Sequence, residues 1–167
     1  LTKRMTIYDS WSEPVNLGPP SNTLDTEIFS SLSPNGLELY FSDWRNNRVD
    51  GLRTEDLWIR TRAKISDPWG VPVNLGPTVN SASGEGLPCM SSDGLSLYFT
   101  SNRPGGLGGT DIWVTTRSSI MAPWTEPINL GPPVNTSYQD GGPRLSEDGF
   151  TLYFYSTRPG GYGDSDL

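Results

Sequence analysis

Three acids recur at matched places in this chain: Glu27, Glu85 and Asp140, 58 and 55 residues apart. Each lies 11 residues after an asparagine of one set (Asn16, Asn74, Asn129) and five after one of a second set (Asn22, Asn80, Asn135). Carboxylates gathered by symmetry repel one another, and a bound cation or cationic group relieves that cost. The acids and the second asparagine set are therefore the leading candidates for binding. An alternative is structural, because Asn and Asp side chains also cap turns and bond nearby backbone amides. Catalysis fits less well. With no His and a single Cys, Cys89, the chain lacks the ligands of ordinary zinc sites and the base of a His-dependent triad. A glycosidase needs two carboxylates in different environments, which acids repeated by symmetry do not supply. No residue is assigned a catalytic or metal-ligating role, and no cofactor is expected beyond a cation at the acidic ring.

A second candidate is Trp44 with Arg45 and Arg48, in the stretch SDWRNNRVDGLRTEDLW. This loop is longer than its counterpart: 22 residues separate Gly36 from Trp58, against 19 from Gly94 to Trp113. Loop insertions often carry the contacts of a rigid scaffold, so an exposed Trp among arginines suits a sugar or peptide. The plain alternative is a surface loop. The glycine clusters RPGGLGGTD and RPGGYGDSD invite an anion or calcium reading. The calcium nonapeptide G-G-x-G-x-D needs Asp where Thr110 and Ser165 stand, and G-K-[ST] is absent. These loops read as turns. Arg45, Arg103 and Arg158 precede them and Asp56, Asp111 and Asp166 follow, so an Arg–Asp pair closing each loop is expected.

The elements that position these residues repeat. PVNLGP occurs at 14–19 and 72–77, and PINLGP at 127–132. Gly36, Gly94 and Gly149 each follow the marker asparagine by 20 residues, within SLSPNGLELYFS, MSSDGLSLYFT and RLSEDGFTLYFY. Asn-Gly or Asp-Gly between apolar runs is a strong hairpin signal, and a two-residue turn there places both residues at positive φ. EDLWIRTR and TDIWVTTR supply a third strand, and the segment around PVNLG a short fourth. Arg4, Arg62 and Arg117 each precede a tryptophan by seven: Trp11, Trp69 and Trp124. With 19 Gly and 15 Pro interrupting every window, helical repeats are excluded. The predicted class is all-β: one domain over 1–167, of three units at about 1–58, 59–113 and 114–167, each a blade of four antiparallel strands.

The recurring N-x4-[ED]-x5-S-x-[DN]-G-x2-LYF, then S-x-R-P-G-G-x-G and D-[IL]-W, resembles the WD-like β-propeller repeat of the TolB type. That resemblance implies a propeller, six-bladed in TolB itself, and a secreted or bacterial-envelope location. It also implies that each blade's first strand lines a central channel, placing Glu27, Glu85 and Asp140 around one mouth. It carries no specific ligand, because propellers host many functions.

Three blades do not close a ring. Two arrangements meet that need: two chains forming a six-bladed homodimer, or a fragment of a longer propeller. Stepping one repeat from Trp113 reaches one position past Leu167, a missing tryptophan that favours a fragment, whereas the whole number of repeats favours the dimer; the dimer is preferred because an isolated three-blade piece exposes a blade face and strand edges. A net charge of −7 disfavours nucleic acid, and no apolar run approaches the ~20 residues of a membrane helix. The expected function is a non-catalytic module binding a protein or glycan at one face and the channel mouth. The alternatives are a propeller glycosidase or lyase, the propeller part of a hydrolase, and a purely structural half-propeller.

Overall fold

The computed structural model describes residues 2, 4, 6–16, 27–43 and 54–167, the first three residues of the earliest strand by backbone only. It is all-β. The first sheet runs β1 (Glu27–Leu32), β2 (Glu38–Asp43), β3 (Asp56–Thr61), β4 (Val73–Asn74), each hydrogen-bonded to the next. The second repeats it with β5 (Glu85–Met90), β6 (Ser96–Ser101), β7 (Asp111–Thr116) and β8 (Ile128–Asn129). The third holds β9 (Asp140–Leu145) and β10 (Leu152–Ser156), plus one antiparallel bridge from Ser156 to Asp166. Register repeats with order. Phe41 faces Trp58 as Phe99 faces Trp113, and those tryptophans face Asn74 and Asn129.

The first strands of successive blades, β1, β5 and β9, pack against one another. The core lies between the first two blades, where Tyr40, Leu57, Val79, Met90, Leu97, Phe99 and Trp113 form one cluster. Leu57, Leu97 and Phe99 are fully buried. Burying each such side chain is worth about 1.5–3 kcal/mol, so this seam carries much of the stability.

The hairpin turns differ from the two-residue expectation. Only the glycine takes positive φ, at 70° for Gly36, 73° for Gly94 and 76° for Gly149. Gly36 N donates to Ser33 O, while Asn35 Oδ1 accepts from Leu37 N and from the Ser33 hydroxyl. Ser91–Asp93 and Ser146–Asp148 repeat this. S-x-[DN]-G is thus a side-chain-built turn, with Asn or Asp replacing a backbone acceptor and no need of positive φ at that residue.

The Arg-x6-Trp spacing has a similar cause. Arg62 sits 4.2 Å from the Trp69 ring centroid and Arg117 4.5 Å from that of Trp124. Each arginine also donates to the backbone three residues on, Ile65 O and Ile120 O. Arg4 keeps the geometry, 4.5 Å from the Trp11 ring and donating to Ile7 O. Arg4 and residues 6–11 are therefore placed like the connection between third and fourth strands. Arg117 further makes a two-pronged pair with Glu38 of the first blade, at 3.1 and 2.7 Å.

Candidate binding site

Glu85 and Asp140, each opening a first strand, are fully buried. Glu85 Oε1 lies 3.1 Å from Arg103 Nη2 and accepts from the Ser81 and Ser101 hydroxyls at 2.6 and 3.0 Å. Asp140 Oδ1 lies 2.7 Å from Arg158 Nη2, and its Oδ2 accepts from the Thr136 amide and hydroxyl. Burial alone would raise the Asp140 pKa. Hydrogen bonds from Ser156, Arg158 and Thr136 outweigh it and hold the carboxyl below its ordinary value.

Each of these two acids thus lies beside an arginine of its own blade, Arg103 for Glu85 and Arg158 for Asp140. Glu27 is described by its backbone alone, and Asn22, Trp44, Arg45 and Arg48 lie outside the described residues.

The asparagines serve the blade as well. Asn80 Oδ1 accepts from Leu57 N at 2.9 Å, and its Nδ2 donates to Leu57 O and to Asn74 Oδ1. Asn135 does the same with Ile112 and Asn129. A side-chain amide so placed mimics one residue of a neighbouring strand, extending the short fourth strand's pairing to the third. Asn80 and Asn135 are buried, each bonded to the preceding third strand.

In the second blade the expected Arg–Asp closure of the glycine loop does not form. Arg103 turns to Glu85, whereas Asp111 accepts from the Leu107 and Gly108 amides and from Asn129 Nδ2. The glycine loop is an anion cradle after all, but the anion is the chain's own Asp111.

A cleft of about 410 Å³ opens at the same end of the blades. Gly84, Gly86 and Leu87 supply the start of β5, Thr100 and Ser101 the end of β6, and Thr54, Glu55 and Thr110 the approaches to the third strands. Tyr155 of β10 closes one side. Glu55 stands where the next blade has Thr110, so it breaks the repeat. Its backbone oxygen accepts from Glu85 N at 2.7 Å, as Thr110 O accepts from Asp140 N at 2.9 Å. The Ser42 hydroxyl bonds the Glu55 carboxyl, yet buried Oε1 has no hydrogen-bond partner, and neither has Thr110 Oγ1. Burial raises the Glu55 pKa, the Ser42 bond pulls it down, and the charge of Glu85 pushes it up again.

Sequence reasoning missed this residue because it searched for what repeats. The available signal was the converse: TEDLW against GTDIW. Leu87 in the same cleft holds φ 55°, the only positive value among described non-glycine residues. It sits in the bulge between Gly86 and Cys89, and Gly142 occupies the matching place in β9 at φ 63°. A left-handed leucine costs on the order of 1 kcal/mol and persists because the bulge imposes it.

No family model and no curated protein matches the chain. Among solved structures it is similar to TolB from Acinetobacter baumannii, with TM-score 0.52 and 14% identity over 81% of this chain and 28% of that one. It is also similar to a thermostable family-43 glycoside hydrolase, with TM-score 0.48 and 15% identity over 84% of this chain and 51% of that one. The chain thus spans about half of the second protein and less of the first. At such identity the likeness to TolB concerns the fold alone: these are blades of a β-propeller.

Proposed function

We propose that this chain is a non-catalytic binding module whose ligand, a protein or a glycan, sits at the blade end where the first strands begin. The observation that carries the reading is the make-up of the cleft. Among the described lining residues Glu55 is the one carboxylate, accompanied by hydroxyls, an amide and the Tyr155 ring. Hydroxyl and amide groups over an aromatic wall suit recognition, whereas glycoside hydrolysis needs a second carboxylate facing the first. Glu85, the nearest acid in sequence register, is buried against Arg103. A panel of polysaccharides and peptides, followed by calorimetry and product chromatography, tests this. Saturable binding without turnover is expected. Turnover abolished by one carboxylate change would replace the reading with an enzymatic one.

The same reading includes closure of the ring by a second chain. Beyond Ser156 the outer edge of β10 carries a single bridge, and Leu152 and Phe154 are half-buried where Leu97 and Phe99 are fully buried. An open edge and apolar face of this kind invite association. Arg4 and residues 6–11, already placed like a third-to-fourth-strand connection, supply the matching piece from the partner. Light scattering after size exclusion checks it: twice the mass of one chain is expected, and a stable monomer contradicts it.

A further inference from the structure

Arg4, Ile7 and Trp11 form a bracket that has two complete counterparts, Arg62–Ile65–Trp69 and Arg117–Ile120–Trp124. What the counterparts do assigns the first bracket a place, an inference that rests on the ring-closure reading above. Each counterpart caps the hairpin turn of its own blade. Arg62 Nε donates to Gly36 O and Arg117 Nε to Gly94 O, both at 2.8 Å. The same two side chains cover the turn glycine. A Cβ on Gly36 would meet Arg62 Nη2 at 3.6 Å and Ile65 at 3.8 Å, and one on Gly94 would meet Arg117 Nη2 and Ile120 at 3.8 Å each. Gly149, the equivalent glycine of the third blade, has nothing within 4 Å of that position.

The tryptophan of a bracket also joins two blades. Trp124 reaches back from the second blade to the first, edge-on to the Tyr40 ring with centroids 6.0 Å apart, and a side-chain hydrogen bond links the pair. Tyr40 is fully buried there. Tyr98 holds the same register in the second blade, facing Val114 as Tyr40 faces Ile59. It is only half-buried, and no aromatic ring among the described residues lies against it. One turn is thus bare and one bracket is left over. Ile7 is 70% exposed and Trp11 61%, while Arg4 donates to Ile7 O and caps no turn among the described residues.

We propose that the Arg4–Ile7–Trp11 bracket of one chain caps the Gly149 turn of a second copy, with Arg4 Nε donating to Gly149 O, Ile7 covering the glycine and Trp11 edge-on to Tyr98. The place continues an interface the chain already forms, because β9 of the third blade packs on β5, β6 and β7 of the second. Burial of an exposed tryptophan and isoleucine supplies the apolar drive. The contact differs from its template in one respect. Ser96 stands in the second blade where Glu38 pairs with Arg117, both lying opposite strand-three threonines. The arginine of the second copy therefore meets a carbonyl and no carboxylate at this place, so the association depends little on salt.

The test mixes isotope-labelled with unlabelled chain and collects filtered NMR cross-peaks that arise only between chains. Expected are cross-peaks from the Trp11 indole of one chain to the Tyr98 ring of the other, and from the Ile7 methyls to the Gly149 Hα. Light scattering over a dilution series gives the second readout. Trp11→Ala and Ile7→Asp should each raise the dimer Kd about tenfold or more. Both side chains are exposed in one chain, so far-UV circular dichroism should not change. A dimer whose Kd is the same in both variants, or the same cross-peaks arising within one chain, overturns the cap and leaves ring closure by other contacts. A stable monomer at every concentration overturns the ring-closure reading and the cap with it.

Discussion

Glu55 and Glu85 are joined by a backbone hydrogen bond of 2.7 Å, yet the regions around them follow opposite rules. Glu85 belongs to the repeating lattice: buried, paired with Arg103, held by two serine hydroxyls, and reproduced at Asp140 with Arg158 and Thr136. The Glu55 side chain has no counterpart at Thr110, and one of its oxygens is buried without a hydrogen-bond partner. The first arrangement lowers the energy of the fold. The second leaves a buried oxygen without a hydrogen bond, which costs energy in the fold. Repetition here marks stability, and the departure from repetition marks the candidate site.

The contrast breaks most sharply at the arginine. Arg103→Ala strands a fully buried carboxylate, a loss of about 3–5 kcal/mol in urea denaturation. That is a large part of the 5–15 kcal/mol typical of a domain. Asn135→Ala comes next, leaving the Ile112 amide and carbonyl without a side-chain partner at a cost of about 3 kcal/mol by the same measurement. Glu38→Gln removes the charge from the inter-blade pair with Arg117, for about 2 kcal/mol.

Acidity sharpens the comparison with smaller effects of opposite sign. Asp140 has a lowered pKa in the fold, so its stabilisation is present above the unfolded carboxylate value of about 3.9 and is lost as pH falls through the folded one. Glu55 has a raised pKa, so the native state binds the extra proton and stability declines as pH rises from about 4.3 through the folded value. Denaturation followed against pH should lose the decline toward low pH in Asp140→Asn and the decline toward higher pH in Glu55→Gln.

Much of the scaffold was legible before any coordinates. The turn glycines, the short fourth strand at PVNLG and the Arg-x6-Trp spacing each mark a place where one residue type meets a local geometric demand. Partner choice was not legible. Arg103 and Asp111 flank one loop and look paired, but Arg103 finds Glu85 across the sheet while the loop's own amides satisfy Asp111. Spacing along the chain does not say which of two carboxylates is buried deeper, and burial decides where an arginine goes. The partners of Asn80 and Asn135 were not legible for a related reason: Leu57 and Ile112 lie 23 residues away on the preceding third strand. Glu55 was hidden because alignment of the units treats a mismatch as noise.

The direct test of the contrast is a pair of thermal melts at pH 7, Glu85→Gln beside Glu55→Gln. Both replace a carboxylate by its neutral isostere at positions joined through one backbone hydrogen bond. The account predicts that Glu85→Gln lowers the midpoint by about 6 °C or more, since Arg103 loses its counter-charge, while Glu55→Gln melts at or above the wild-type temperature. A fall in Glu55→Gln as large as that in Glu85→Gln would mean that both acids are structural, and the distinction drawn between the two regions would not stand.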